Sequence, residues 1–272
     1  MRNRKINKGF IVLSVIILLM ITASLFAPLL TPYDPYETDT SNVLAAPSGT
    51  HLFGTDSNGR DVLSRVIIGS RTSIFSAFAL IIVSGTVGTI IGLTGGYFKG
   101  KVDAILMRIT DIFLAFPSLI LAIAVAGVLG GGLFNAMIAM FLTTWTQYAR
   151  LARSSTIAVK EETFVQAAKI SGCSDAKILF VHILPNILGP LAVTATLHIS
   201  GMMMGLAGLS FLGLGVKVPA AEWGSMISDG RAYLQTAPWV AIMPSIVMVS
   251  VMMVFNLFGD HVRDMIDPKS KK

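Results

Sequence analysis

The chain has 272 residues, 53% of them hydrophobic and 13% charged, with a mean hydropathy of +0.72. A soluble domain carries about a quarter charged residues, so this chain has too little polar surface to coat a globule, and the same numbers exclude a disordered or fibrous chain. The single cysteine excludes a disulfide framework, no Cys/His spacing suits structural zinc, and the surplus of 21 basic over 15 acidic residues is better explained by a membrane than by nucleic acid.

A helix crossing the hydrocarbon core needs about 20 apolar residues. Six stretches qualify: 10–30, 73–97, 104–129, 133–152, 186–215 and 238–259. Their long, unalternating apolar runs exclude a barrel, which leaves an all-α integral membrane protein with six transmembrane helices. The first stretch follows Met1-Arg-Asn-Arg-Lys, as a signal peptide would, but its apolar core exceeds the usual 7–15 residues, so a retained span is expected. With the N-terminus inside, 16 of the 21 basic residues fall on the cytoplasmic side. The five outside are Arg60, Arg65, Arg71, Lys217 and Arg231. That asymmetry obeys the positive-inside rule, whereas the acids split almost evenly. Both termini are therefore expected in the cytoplasm.

The expected organisation is an N-terminal tail and first helix over 1–30, an extracytoplasmic segment over 31–72, and a five-helix core over 73–272. Pro32, Pro35 and Pro47 make the extracytoplasmic segment irregular, and the charged stretch after Gly59 is expected as a short surface helix. Trp223, Tyr233 and Trp239 in the second outer segment, 216–237 and its border, are the aromatics expected at a membrane interface.

Within the spans, Ser84, Gly88, Gly92 and Gly96 recur every four residues and form a stripe that lets a neighbouring helix approach closely. Gly201 and Gly205 repeat the device. Gly95-Gly96-Tyr97-Phe98-Lys99-Gly100-Lys101 imitates a phosphate-binding loop, but Val102 stands where a magnesium-binding Ser or Thr is needed, and no strand precedes it. Arg108 and Asp111 are spaced to pair on one helix face. His198 and Met202, four apart, with Met203 and Met204 following, are placed to pack or to touch a soft metal in passing along a translocation path. No tight metal site, no cofactor and no catalytic constellation is legible: HExxH and GxSxG are absent, and His51, His182, His198 and His261 are scattered. A membrane-embedded enzyme and a secondary carrier are thereby disfavoured, the latter for want of buried carboxylates along the spans.

The cytoplasmic segment 150–185, with its loop at 153–185, is long and polar between two spans. Glu162-Thr-Phe-Val-Gln-Ala-Ala168 leads to Gly172, and Leu184-Pro185 precedes the next span. A short helix with small residues, an exposed Phe164 and a glycine break suits docking into a groove on another protein; an interfacial loop helix is the equal alternative.

Here the sequence resembles the permeases of ABC importers. Gln166-Ala167-Ala168, three residues, Gly172, nine residues, His182 and then Leu184-Pro185 is similar to that family's signature loop, with Gln166 in place of the usual Glu and His182 in place of the usual Ile. His51-Leu-Phe-Gly-Thr-Asp-Ser-Asn-Gly-Arg-Asp-Val-Leu-Ser-Arg65 resembles the outer segment of the C-type permease in the peptide/nickel branch. So do Leu209 to Gly215, Glu222-Trp223-Gly224, and Phe255-Asn256 through Gly259-Asp260 to Arg263-Asp264 and Asp267-Pro268. The resemblance implies a type I ABC importer permease fold with a cytoplasmic coupling helix, in a bacterial inner membrane. It also implies a second, homologous permease, two ATP-binding subunits that carry the hydrolysis, and an extracytoplasmic substrate-binding protein. ATPase coupling is then expected at Glu162, Phe164, Gln166, Ala167, Ala168, Gly172, Asp175, Leu184 and Pro185. His198, the Met202–Met204 run and Leu206 resemble the nickel members, so nickel or a metal chelate is the expected cargo, with di- or oligopeptides as the alternative.

Overall fold

The computed structural model describes residues 8–266; the basic start Met1-Arg-Asn-Arg-Lys, the Asp267-Pro268 pair and the last three lysines lie outside them. The described residues form eleven α-helices, α1 (Lys8–Leu25), α2 (Ala27–Leu30), α3 (Val62–Phe98), α4 (Gly100–Leu114), α5 (Ser118–Val128), α6 (Leu133–Lys160), α7 (Thr163–Ile170), α8 (Asp175–Lys177), α9 (Leu184–Phe211), α10 (Trp223–Gly230) and α11 (Trp239–Ile266). A π-turn, Ile178–Ile183, joins α8 to α9 without a break, and a single isolated bridge, Thr55 with Asp61, is the only β pairing among them.

Four helical runs are long and apolar enough to cross a membrane: α1, α3, α8 through α9, and α11. The expected span 104–129 is instead two helices, α4 and α5, bent by 83°. The cause is Pro117, which lacks an N–H and pushes the residue before it out of helical geometry, so that α4 ends at Leu114 and α5 starts at Ser118. Helix α6 has 28 residues, enough to cross, but Thr143, Thr144 and Thr146 dilute its apolar content. Nor does the stretch after Gly59 form a separate surface helix. It is the first part of α3, which runs 37 residues, or about 55 Å, well beyond the hydrocarbon thickness.

The two ends of the bundle are distinct. At one, Phe10 stacks on Phe258 (ring centroids 5.4 Å), and Tyr97 at the end of α3 bonds Asp175 at the start of α8. The start of α1 and the ends of α3 and α11 thus gather there. At the other, Trp239 Nε1 donates to the Thr55 carbonyl (3.1 Å) and Trp223 Nε1 to the Val66 carbonyl (2.9 Å). Trp223 is therefore not a lipid-interface anchor: it is 1% exposed, inside a core with Val62, Ile74, Met203 and Phe255. The indole proton of a buried Trp needs a partner, and the helical carbonyl supplies it.

That second end is built on buried charge. Asp56, Arg60, Asp61, Arg65 and Glu222 are each 6% exposed or less. Asp56 Oδ2 accepts from Arg60 Nε (2.7 Å) and lies 3.4 Å from Arg65 Nε, while Arg65 also donates to the Pro35 carbonyl (3.0 Å). Asp61 caps α3 through Ser64 N–H (2.7 Å) and holds His51 Nδ1 (2.9 Å). Glu222 caps α10 through Gly224 and Ser225 N–H (both 2.8 Å). The Ser73 hydroxyl ties α3 to this cap, donating to Glu222 Oε1 (3.3 Å) and accepting from Trp223 N–H (3.1 Å). Charges so deeply buried persist because each is paired or hydrogen-bonded.

The small-residue stripe is the axis of packing. A Cβ built on Gly88, Gly92 or Gly96 would come within 3.0 Å of α6 backbone, at Trp145 O, Ala149 O and Arg153 O respectively. Backbones in such contact gain dispersion energy that larger side chains would forbid. Of the second expected pair, Gly205 abuts Met140, but Gly201 faces open space, so that stripe is only half used.

Gly92→Val is expected to cost about 3 kcal/mol by overpacking the α3–α6 contact. Thermal unfolding of the purified protein in detergent, together with disulfide trapping between cysteines placed on the two helices, checks it. An unchanged melting temperature with intact trapping would refute the close contact.

Candidate functional site

The segment from the end of α6 to the start of α9 forms a compact elbow. Helix α6 stops at Lys160, and Glu162, in extended geometry (ψ 145°), starts α7 by offering its carbonyl to the N–H groups of Val165 (3.0 Å) and Gln166 (3.2 Å). The Gln166 side chain closes back on the turn, its Nε2 donating to the Lys160 carbonyl (3.0 Å). Helix α7 ends where Gly172 takes φ +78°, a left-handed conformation that glycine adopts at low cost. Gly172 N–H and Cys173 N–H then satisfy the Lys169 and Ala168 carbonyls (both 3.1 Å). Ser174 caps α8 by accepting from Lys177 N–H (3.4 Å), and Pro185, which has no N–H to give to a preceding carbonyl, stands directly after the π-turn.

One face of this elbow is anchored. Val165 and Ala168 are buried with Leu93, Tyr97, Tyr148, Ile178, Leu179 and Ile183. Away from that core the elbow exposes large apolar side chains: Phe164 is 42% exposed, Ile170 88%, Phe180 61% and Val181 57%. Sequence reasoning found Phe164 but missed Ile170, Phe180 and Val181. Phe180 and Val181 stand inside the apolar run Ile178-Leu-Phe-Val-His-Ile-Leu184, so composition alone does not separate them from the buried residues around them. The pair is exposed while Ile178, Leu179 and Ile183 stay inside, and Leu179, Ile183 and Ile187, each four apart, keep one buried stripe through the π-turn.

The expected coupling residues thus occupy one continuous structure. Glu162, Phe164, Gln166, Ala167, Gly172 and Pro185 are exposed, Leu184 is half-buried, and Ala168 faces the core. Asp175 faces Tyr97, whose hydroxyl donates to its Oδ1 at 2.5 Å. Further ties fasten the elbow to the corner between α3 and α4: Lys160 Nζ donates to the Tyr97 carbonyl (2.5 Å), Lys99 Nζ pairs with Glu161 (3.0 Å), and Arg153 forms a two-pronged pair with Asp103. Hydrogen bonding and the charge of Lys99 hold the Glu161 carboxyl below the usual carboxylate range. Asp111 pairs with Arg150 (2.8 Å) and not with Arg108 as its spacing suggests, because α6 brings a better-placed guanidinium alongside α4. Gly95 to Lys101 is the end of α3 and the corner itself, with Lys99 at φ +54°.

His198, Met202 and Met203 do not converge. The His198 ring sits edge-on to Tyr148 (5.5 Å), the Met202 sulfur accepts from the Thr144 hydroxyl (3.7 Å), and Met203 lies in the core beside Trp223. Among the described residues, no three His, Cys, Asp or Glu side chains are grouped as metal ligands.

Comparison with known proteins gives a consistent set of matches. A family model described as the binding-protein-dependent transport system inner membrane component matches residues 88–272, and one for the N-terminal TM domain of oligopeptide transport permease C matches residues 2–47. The dipeptide transport system permease protein DppC of Alkalihalophilus pseudofirmus is 44% identical, over 99% of this chain and 89% of its own length. The probable D,D-dipeptide transport system permease protein DdpC of Escherichia coli is 43% identical over 94% of this chain and 86% of its own. The glutathione transport system permease protein GsiD of Pectobacterium atrosepticum is 39% identical over 94% and 85%. Among solved structures, a subunit of the inward-facing MetNI methionine ABC transporter superposes with a TM-score of 0.54 at 19% identity, covering 72% of this chain and 94% of that one. It shares the fold.

In a Cys173→Ser background, cysteines at Phe164, Ile170 and Phe180 of the purified chain are expected to react with a polar maleimide, while those at Val165 and Ile183 stay protected until the protein is denatured. Uniform labelling at all five would contradict the two-faced elbow.

Proposed function

We infer a short-peptide cargo for this chain, which belongs to the binding-protein-dependent transport system inner membrane component family and is a C-type permease subunit of an ABC importer in the peptide/nickel branch. It is a multi-pass membrane protein and not an enzyme. In our reading it forms half of the translocation pore for di- or oligopeptides. The observation that carries this cargo is the set of relatives spanning nearly its whole length, whose names specify dipeptides, D,D-dipeptides and glutathione. Nickel, the expectation raised by His198 and the methionines, has less behind it: those side chains engage Tyr148, Thr144 and the core.

The proposed assembly pairs this chain with a homologous permease, two ATP-binding subunits and an extracytoplasmic substrate-binding protein. Six crossings are proposed, with the bent α4–α5 pair and α6 completing the count. The residues 1–30, 31–72 and 73–272 serve as anchor, outer cover and transport core. Support for cytoplasmic termini comes from the basic residues on that side and from the start of α1 meeting the end of α11 at the end of the bundle that carries the elbow.

In this scheme the bare face of the elbow, Phe164, Ile170, Phe180 and Val181, seats in a groove of an ATP-binding subunit. Glu162, Gln166, Ala167, Ala168, Gly172, Leu184 and Pro185 shape that surface, and Asp175 fixes it to the bundle. Closure of the two ATPases moves the elbow, and the helices rock between outward- and inward-open states. ATP on the partner biases the two populations, and nothing in this chain reacts.

Uptake of labelled dipeptide by cells lacking this chain is expected to fall to background while nickel uptake is kept; the reverse pattern would assign the metal. Gly172→Trp is expected to leave the protein inserted and assembled but to uncouple ATP hydrolysis from uptake, and normal transport by that variant in vesicles would refute the coupling role of the elbow.

A further inference from the structure

We propose that Tyr97 is a positioning residue that latches the coupling elbow to the inner end of α3, so that movement of the elbow reaches α3 directly and not only along the chain through α9. The proposal rests on the reading of the elbow as the ATPase-docking element, and it adds a residue and a route to that reading.

The geometry grips Tyr97 from both flanks of the elbow. On the far side, Asp175 Oδ1, 78 residues away in sequence, accepts the Tyr97 hydroxyl proton at 2.5 Å. Asp175 is the first residue of α8, where the unpaired N–H groups of a helix start favour an anion, and an ionised acceptor makes a hydrogen bond roughly twice as strong as a neutral one. On the near side, Lys160, the last residue of α6, donates through Nζ to the Tyr97 carbonyl at 2.5 Å and lies 4.9 Å above the Tyr97 ring. The ring itself cannot swing away. Tyr97 is 5% exposed, packed with Leu93, Ile178 and Leu179, and edge-on to Phe98 at 5.1 Å.

What the latch holds is a stiff member. Helix α3 is locked along α6 by Gly88, Gly92 and Gly96, and its far end is bound into the buried charges through Arg65 and Ser73. A pull on Asp175 is therefore transmitted by Tyr97 to a helix that spans the whole bundle. On its C-terminal side the covalent path passes first through the π-turn, Ile178–Ile183, and then into α9, which carries Pro190 within it, and on its N-terminal side it runs back through Lys160 into α6, so the latch adds to α3 a contact that neither chain end supplies.

The test uses the complete importer, with its two ATP-binding subunits and its substrate-binding protein, in proteoliposomes. Tyr97→Phe removes one oxygen and keeps the ring, and Asp175→Ala removes the acceptor. Each is expected to retain both ATPase subunits on purification and to keep hydrolysing ATP, while cargo transported per ATP falls about tenfold, the scale of one lost charge-assisted hydrogen bond. Asp175→Glu, which keeps an acceptor carboxylate, is expected to recover part of the loss. The double variant is expected to be no worse than either single one, because both remove the same contact. Wild-type stoichiometry in Tyr97→Phe, or losses that add in the double variant, would overturn the latch. Crosslinking from a cysteine at Phe164 separates the two levels: a crosslink to an ATPase subunit with normal coupling in Tyr97→Phe rejects the latch alone, and no crosslink rejects the docking role and the latch with it.

Discussion

The contact on which this architecture depends is the approach of two helix backbones, α3 and α6, with almost nothing between them. In hydrocarbon, apolar side chains gain little by leaving lipid for protein, so helices associate through close packing and shared polar contacts. Three glycines on α3 supply the first, and every other functional feature is attached to the resulting pair. The elbow continues from the end of α6 and is fastened to the end of α3. The buried charges around Asp56 and Arg65 hold the start of α3. A pair so joined is suited to move as one body in the rocking cycle proposed above.

The end of the bundle away from the elbow is built on a different kind of stabilisation. Asp56, Arg60 and Arg65 are withdrawn from water, Asp229 lies close enough to both arginines to offset their charge, and the Pro35 carbonyl also accepts from Arg65. Such a cluster contributes geometry more than raw stability, since well-packed apolar groups of the same size would serve energetically as well. What it provides is a directional joint: guanidinium, carboxylate and carbonyl meet in one arrangement, and the long irregular segment before α3 is held in register over α10.

Much of the architecture was legible in the residues because the controlling terms are local. Apolar length located the spans, the four-residue spacing of Gly88, Gly92 and Gly96 located the tight contact, and Gly172 with Pro185 bounded the elbow, each through backbone geometry that one residue type enforces. Features set by neighbours distant in sequence were not. Asp111 lies three residues from Arg108, yet Arg150 takes it, because α6 rather than α4 presents the guanidinium at the right angle. The charges after Gly59 read as a wetted surface, since nothing in that stretch announces that α10 and the Pro35 turn will close over them. Tyr97 sat inside a glycine-rich stretch with a spurious nucleotide-binding look, and its partners are found only once three helix ends converge. The methionine run invited a chemical reading, and its contacts, Met202 with Thr144 and Met203 in the core, likewise involve residues far away in sequence.

The sharp bend at Pro117 limits where lipid can lie. Proline leaves a carbonyl one turn earlier without its usual donor, and acyl chains offer none. The neighbouring Phe116, Leu119 and Ile120 are nonetheless uncovered in this single subunit. A carbonyl freed at that corner is served by water or by a polypeptide donor, never by an acyl chain. The subunit is asymmetric in its appetite for oil: α1 tolerates it on nearly every side, whereas the kinked pair offers it apolar side chains beside backbone that oil cannot satisfy.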